Sequence, residues 1–296
     1  MPIGLVLGLL ASLAWGVTDL AGALAARRLG SVGVLAGTQI TSLAILVAIA
    51  LANTSLLSTS ALPGFATGLG LGVVAAVAYL SFYTALRIGP ISVVSPVVAA
   101  YGGLTVVLAV IFRGESLGPV QALGALIATT GIVLTGLVLD GRATRLVGRG
   151  VGIALITMVL FAVLTIALAA PIQEHGWLPV MLGSRLTNTL IGVLLLAAAL
   201  RSPDGRLGPL LGPPDGLDRR AVALVLVAGV GDLLGFVAYT IGLEISLTWL
   251  VGLASSFGPA IAVLVAVAFL GERLRPSQWT GLAMLAGGLV VLALSG

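Results

Sequence analysis

The fold class predicted is all-α and integral to the membrane: ten transmembrane helices arranged as two inverted five-helix repeats. Three observations predict it, namely an apolar composition, ten runs of spanning length, and one polar turn that occurs twice. Of 296 residues, 59% are apolar and 8% are charged, and the mean hydropathy is +1.23. A soluble domain carries roughly 25% charged residues. Such a chain is built for a bilayer.

A spanning helix needs about 20 predominantly apolar residues, and ten stretches satisfy this: 3–26, 32–52, 64–86, 91–112, 118–139, 148–170, 178–200, 221–243, 248–270 and 276–295. The opening "MPIGLVLGLLASLAWG" has no basic stretch ahead of its apolar run, so it reads as a retained helix rather than a secretory signal. The longest connection, "RSPDGRLGPLLGPPDGLDRR" at 201–220, is rich in Pro, Gly and charge and is predicted to be an exposed linker.

The repeated turn is "GESLGPVQALG" at 114–124 and "GERLRPSQWTG" at 271–281, a shift of 157 residues. The same shift pairs Val110–Val133 with Val267–Val290 without gaps, matching Gly114 to Gly271, Glu115 to Glu272, Pro119 to Pro276, Gln121 to Gln278, Gly124 to Gly281 and Gly131 to Gly288. Each copy is the turn between the fourth and fifth helices of a repeat. Residues 1–139 form the first repeat, 140–147 the connection and 148–296 the second. Five is odd, so the second repeat crosses the membrane in the opposite sense, the plan of secondary transporters.

All fourteen basic residues are arginines. Twelve fall in odd-numbered loops (Arg27, Arg28, Arg87, Arg142, Arg145, Arg149, Arg201, Arg206, Arg219, Arg220, Arg273 and Arg275) and one, Arg113, in an even-numbered loop. Orientation by positive charge puts the odd loops in the cytoplasm and both termini outside, in the cytoplasmic (inner) membrane. This distribution, not nucleic acid, accounts for the net charge of +4.

The "AWG" at 14–16, and the Gly-Glu-x-Leu-x-Pro-x-Gln-x-x-Gly turn with its glycine-bearing helix in each half, resemble EamA-type ten-helix exporters of the drug/metabolite transporter superfamily. The resemblance covers the whole chain. It implies export of amino acids, aromatic ones among them, or of similar small metabolites. It also implies a central cavity surrounded by the first four helices of each repeat, with the fifth and tenth flanking it. Many such exporters keep their termini in the cytoplasm, from which the arginine distribution here departs.

A charge near the bilayer centre costs at least ~2.5–3.5 kcal/mol on insertion scales, so it persists where it is paired, hydrated or useful. Three such residues stand out: Asp19, Arg185 and Asp232. Asp232 lies at the midpoint of its span and is the better partner for Arg185, either as a structural pair or with Arg185 meeting substrate. Phe236 and Tyr239 lie four and seven residues beyond Asp232, on one helical stripe. Such a stripe can hold an ammonium by charge and cation–π attraction. Ser12, Trp15 and Asp19 share a face of helix 1, as Tyr79 and Tyr83 do of helix 3. The candidate substrate-binding residues are therefore Trp15, Asp19, Tyr79, Tyr83, Arg185, Asp232, Phe236 and Tyr239. Ordinary packing or an interfacial belt is the competing account of the aromatics, and suits Trp177 and Trp279 at segment ends.

Pro96 and Pro259, at comparable places in helices 4 and 9, are candidate gating kinks, or structural bends. Gly64, Gly68 and Gly72 form a stripe for close helix packing. Glu115 and Glu272 are assigned to helix capping or loop ion pairing beside Pro119 and Pro276. A carboxylate shielded from water can exchange a proton for a cation, so proton coupling through Asp19 or Asp232 is expected.

Cysteine is absent and His175 is the single histidine, which argues against thiolate or zinc chemistry. No nucleophile–base pair or set of catalytic carboxylates is evident, so no catalytic residue is assigned and an enzyme is not expected. A channel lacks its ring of charges. The nearer rival is a flippase for a lipid or lipid-linked metabolite. The expected partners are a small-molecule substrate, the bilayer and a coupling proton, with no cofactor, metal or nucleic acid, for a chain working as a monomer.

Overall fold

The computed structural model describes residues 3–54, 61–89, 91–136, 144–213, 216–258, 261 and 276–295. The helices are α1 (Ile3–Ala52), α2 (Ala61–Ile88), α3 (Ile91–Ala99), α4 (Tyr101–Arg113), α5 (Pro119–Gly136), α6 (Thr144–His175), α7 (Trp177–Arg201), α8 (Arg219–Ile245), α9 (Thr248–Ser255) and α10 (Pro276–Leu294), with a short 3₁₀ turn at Gly208–Leu210. Among the described residues six helices are long and apolar enough to cross a bilayer, and two shorter apolar helices join them. The architecture is that of an integral membrane protein.

The first two predicted spans are one continuous element with a corner. Straight, 50 residues would extend about 75 Å, more than twice the ~30 Å hydrocarbon core. At Gly30 the backbone turns to φ 75°, ψ 169°, a conformation glycine adopts at little cost, and a Cβ there would lie 2.2 Å from the Leu210 carbonyl oxygen. The corner divides α1 into arms 3–29 and 31–52. The fourth predicted span, 91–112, is likewise broken, at Ala100 between α3 and α4. Pro96 lies one turn earlier and removes an amide donor. The Ala100 and Leu104 amides still donate to the Pro96 and Ala100 carbonyls, at 3.2 and 3.3 Å, so the break is a bend. The ninth span is described as helix over Thr248–Ser255; Pro259 lies outside the described residues.

The contact between α5 and α10 demonstrates the inversion. A Cβ on Gly131 would sit 2.7 Å from the Gly281 carbonyl and 2.6 Å from the Leu285 amide; one on Gly288 would sit 2.8 Å from the Gly124 carbonyl and 2.7 Å from the Ala128 amide. The shift of 157 turns each of these contacts into the other, so the two helices meet as equivalents across a pseudo-two-fold axis. Their numbering also runs oppositely, with Gly124 against Leu292 and Gly131 against Leu285. Equivalent helices are antiparallel, as inverted repeats require. The other packing obeys the same axis: α2 lies on α6 and α7 as α8 lies on the two arms of α1.

The loop after α7 differs from the exposed linker expected. Its Asp218 pairs with Arg28 at 2.6 Å. Its Pro209 and Leu211 carbonyls accept from Arg87 Nη1 and Nη2 at 2.6 and 2.7 Å, and Leu211 bridges Gly30 through the backbone. The Ala221 amide, at 2.7 Å, and then the Arg28 guanidinium hold the Asp218 carboxyl below the usual carboxylate range. Carbonyls without helical partners and arginines without acceptors satisfy one another, which docks the segment. At the opposite end, Glu115 accepts from the Thr248 and Trp249 amides, both at 3.0 Å. It caps α9 of the other repeat, not the neighbouring α5, and pairs with Arg113 at 3.4 Å. Glu272 lies outside the described residues.

The stripe Gly64, Gly68 and Gly72 packs on α7, where a Cβ on Gly183 would meet the Phe65 carbonyl oxygen at 2.1 Å and the Leu69 amide at 2.8 Å; a Cβ on Gly70 meets nothing within 4 Å. Gly183→Ala is expected to destabilise by about 1–3 kcal/mol, the usual cost of overpacking, while Gly70→Ala costs nothing. Thermal unfolding of both variants in detergent checks the contrast.

Candidate functional site

At mid-depth between the repeats lies a cavity of about 100 Å³. Arm 3–29 gives it Trp15, Thr18 and Asp19; α2 gives Tyr79, Phe82 and Tyr83; α3 and α4 give Ser95, Val98, Ala99 and Tyr101. From the second half come Phe161, Leu164, Thr165 and Leu168 of α6, Ala228, Asp232, Phe236 and Tyr239 of α8, and Ser255, Ser256 and Gly258. Neither α5 nor α10 contributes. The second helix of each repeat, arm 31–52 and α7, also stands behind the lining, where all four helices of each repeat were expected to surround it.

The lining repeats. Gly72 abuts Ser184 and Thr187 as Gly229 abuts Thr38 and Thr41, so the first two helices of each repeat correspond at a shift of 146, and the last three at 157. Trp15, Thr18 and Asp19 then map onto Phe161, Leu164 and Thr165. Tyr79 and Phe82 map onto Phe236 and Tyr239, and Val98, Ala99 and Tyr101 onto Ser255, Ser256 and Gly258. The cavity lies on the axis.

All four tyrosines of the chain line it. The Tyr83 hydroxyl donates to Thr38 Oγ1 at 3.3 Å and that of Tyr239 to Thr165 Oγ1 at 2.5 Å, while Tyr101 shares a 2.7 Å hydrogen bond with Ser255. With the hydroxyls engaged, the ring surfaces remain for a guest. Phe161 is the hub, within 5.6, 5.9 and 6.0 Å of the Tyr79, Phe82 and Tyr101 rings.

Of the three intramembrane charges, two are paired. Arg185 Nη1 lies 2.8 Å from Asp232 Oδ2, with side-chain exposures of 2% and 8%. Tyr79 donates to Asp232 Oδ1 at 2.9 Å, and Arg185 donates to Gln39 Oε1 at 2.6 Å, which Asn188 also reaches at 3.2 Å. The guanidinium lies 4.4 Å over the Phe236 ring and 5.5 Å from that of Tyr79. The ion contact is off the hydrogen-bonding direction, since Asp232 Oδ2 and Arg185 Nη2 have no hydrogen-bond partner; charge and ring faces hold it. Asp19 has no ion pair among the described residues and accepts one hydrogen bond, from Ser95 Oγ at 3.1 Å.

Seven of the eight candidate residues thus border one cavity. Arg185 does not: it lies behind Asp232 and neutralises the carboxylate that the sequence offered as an ammonium site. Ser12 is buried outside the lining. Phe161, Tyr101, Thr165 and Gln39 were missed. The signal for Phe161 and Thr165 is the shift of 146 from Trp15 and Asp19, which a search confined to the better-matched 157 register does not reach.

Apolar spanning helices in two inverted halves about an aromatic cavity make up a multi-pass membrane protein. The EamA-like transporter family model matches residues 2–137 and 148–294, and the chain belongs to that family. A crystal structure described only as that of a protein superposes with a TM-score of 0.76, at 20% identity over 99% of this chain and 96% of the other; it shares the fold. No curated protein matches.

Arg185→Met would strand Asp232 as an uncompensated buried charge and is expected to cost about 3–5 kcal/mol. Arg185→Met with Asp232→Asn removes both charges and should recover much of that loss. Thermal unfolding of the single and double variants checks the order.

Proposed function

We propose that the protein is a secondary transporter that exports small amine-bearing metabolites, amino acids or their relatives, across the cytoplasmic membrane by alternating access. The observation carrying this reading is the aromatic cavity on the pseudo-two-fold axis. Inverted halves of like structure can exchange conformations, and a site on their axis then faces one side or the other. The bend at Ala100, one turn past Pro96, offers a place for that exchange, and Pro259 is the corresponding proposal in the second half. Twelve arginines in odd loops favour a cytoplasmic arginine-rich face with both termini outside. Asp19 is the carboxylate proposed to couple export to proton entry.

A flippase needs room for a headgroup and a route for its chains. A cavity of about 100 Å³ walled by ring surfaces suits a compact solute better. Proteoliposomes carrying the full chain are expected to show saturable counterflow of a small amine or amino acid, accelerated by a pH gradient. Trp15→Ala should reduce it at least tenfold. Lipid scrambling without solute counterflow would instead support the flippase.

A further inference from the structure

We infer that the cavity selects an organic monocation, an amine with an apolar or aromatic body and no carboxylate, and that Asp19 is its counter-charge. This rests on the transport reading above and departs from the amino acids that reading includes.

Charge balance carries the inference. Away from the ends of the helices and of the two arms of α1, the described spans hold two anions, Asp19 and Asp232, and one cation, Arg185. Asp232 and Arg185 neutralise each other at 2.8 Å. One negative charge remains, and it borders the cavity. Among the described residues Asp19 receives the Ser95 hydroxyl alone, which leaves acceptor capacity unused on a carboxylate that accommodates several donors. A shielded charge without a counter-ion is costly, and a bound cation removes that cost. The axis sharpens the point: the positions equivalent to Asp19, Asp232 and Arg185 are Thr165, Ala75 and Gln39, none of them charged. Among the described residues of the second half, none but the already paired Arg185 offers a positive charge at this depth.

Among the described residues, the lining equally holds no cation to receive a carboxylate. Its nearest cation, Arg185, is 2% exposed, bonded to Gln39 and covered by the Phe236 ring. Three tyrosine hydroxyls already have acceptors within the protein, and the fourth, Tyr79, donates to Asp232. An amino acid would bring its ammonium to Asp19 and leave its carboxylate among ring faces, whose negative quadrupole repels an anion and attracts a cation. Removing that carboxylate removes the penalty.

Phenethylamine and phenylalanine differ by the carboxylate alone and test this on the unaltered protein. Calorimetric titration of the detergent-purified full chain should give a Kd for phenethylamine at least tenfold below that for phenylalanine, and 3-phenylpropionate should not bind. Asp19→Asn, checked for monodispersity, should weaken phenethylamine at least tenfold, with Asp19→Glu recovering part of the loss. Equal or tighter binding of phenylalanine, or an unchanged Kd in a folded Asp19→Asn protein, overturns the inference while leaving transport standing. If none of the three compounds binds, the inference falls; if counterflow also fails, the transport reading falls with it.

Discussion

The structure depends on one constraint: in a solvent that offers no hydrogen bonds, polar groups are driven to partners inside the protein. The Arg185–Asp232 pair is its most demanding instance. Either charge alone in this position would be costly, and α7 brings its guanidinium to the carboxylate of α8. Gln39 ties the same arginine to arm 31–52, and Tyr79 ties the aspartate to α2. Four helices are thus held by one network, and two of them lie behind the cavity. Because its charges cancel, the network sets the chamber's residual charge as well as its walls.

The same constraint explains the ends of the molecule. Glu115, in the repeated turn, supplies acceptors to the first amides of α9, where the local Leu247 has no side chain to do so. At Glu115, a motif that reads as a local cap is a cap across the repeat interface. Opposite, Arg28 and Arg87 of the first half find acceptors in the loop of the second. Positive charge that orients a chain in the membrane also closes its connections.

Much of the architecture was legible because its signals are long or paired. Twenty-residue apolar runs locate helices, and the 157 shift establishes two halves of opposite sense. What stayed hidden depends on contacts between distant segments. The apolar character of 91–112 does not mark where it bends, and the Pro/Gly-rich 201–220 does not disclose that its carbonyls face Arg87. Asp232 stood out because a charge in a span is rare, and the aromatic stripe beside it was real. That the aspartate was already neutralised followed only from where α7 placed Arg185. Phe161 sat in an apolar run without polar neighbours, and only its equivalence to Trp15 distinguishes it.

The departures from symmetry bear most directly on transport. A perfectly repeated chamber would have like groups on both sides of the axis and no reason to hold one end of a guest differently from the other. Here Trp15 has Phe161 as its counterpart, Tyr79 has Phe236 and Phe82 has Tyr239, so both sides offer similar ring surfaces to a body of either orientation. The charges do not follow: Asp19 has Thr165 as its counterpart, and Arg185 meets its own equivalent, Gln39, in a hydrogen bond on the axis. The seventh-loop strap is a second departure, the connection between second and third helices being eleven residues longer in the second half, as the shifts of 157 and 146 require. Its contacts with Arg28 and Arg87 tie the halves together at one end, whereas Glu115 ties them at the other. In the alternating access proposed above, the inward and outward forms would therefore differ in energy, and a solute that compensates Asp19 would change the balance between them only where the two forms shield that carboxylate to different degrees.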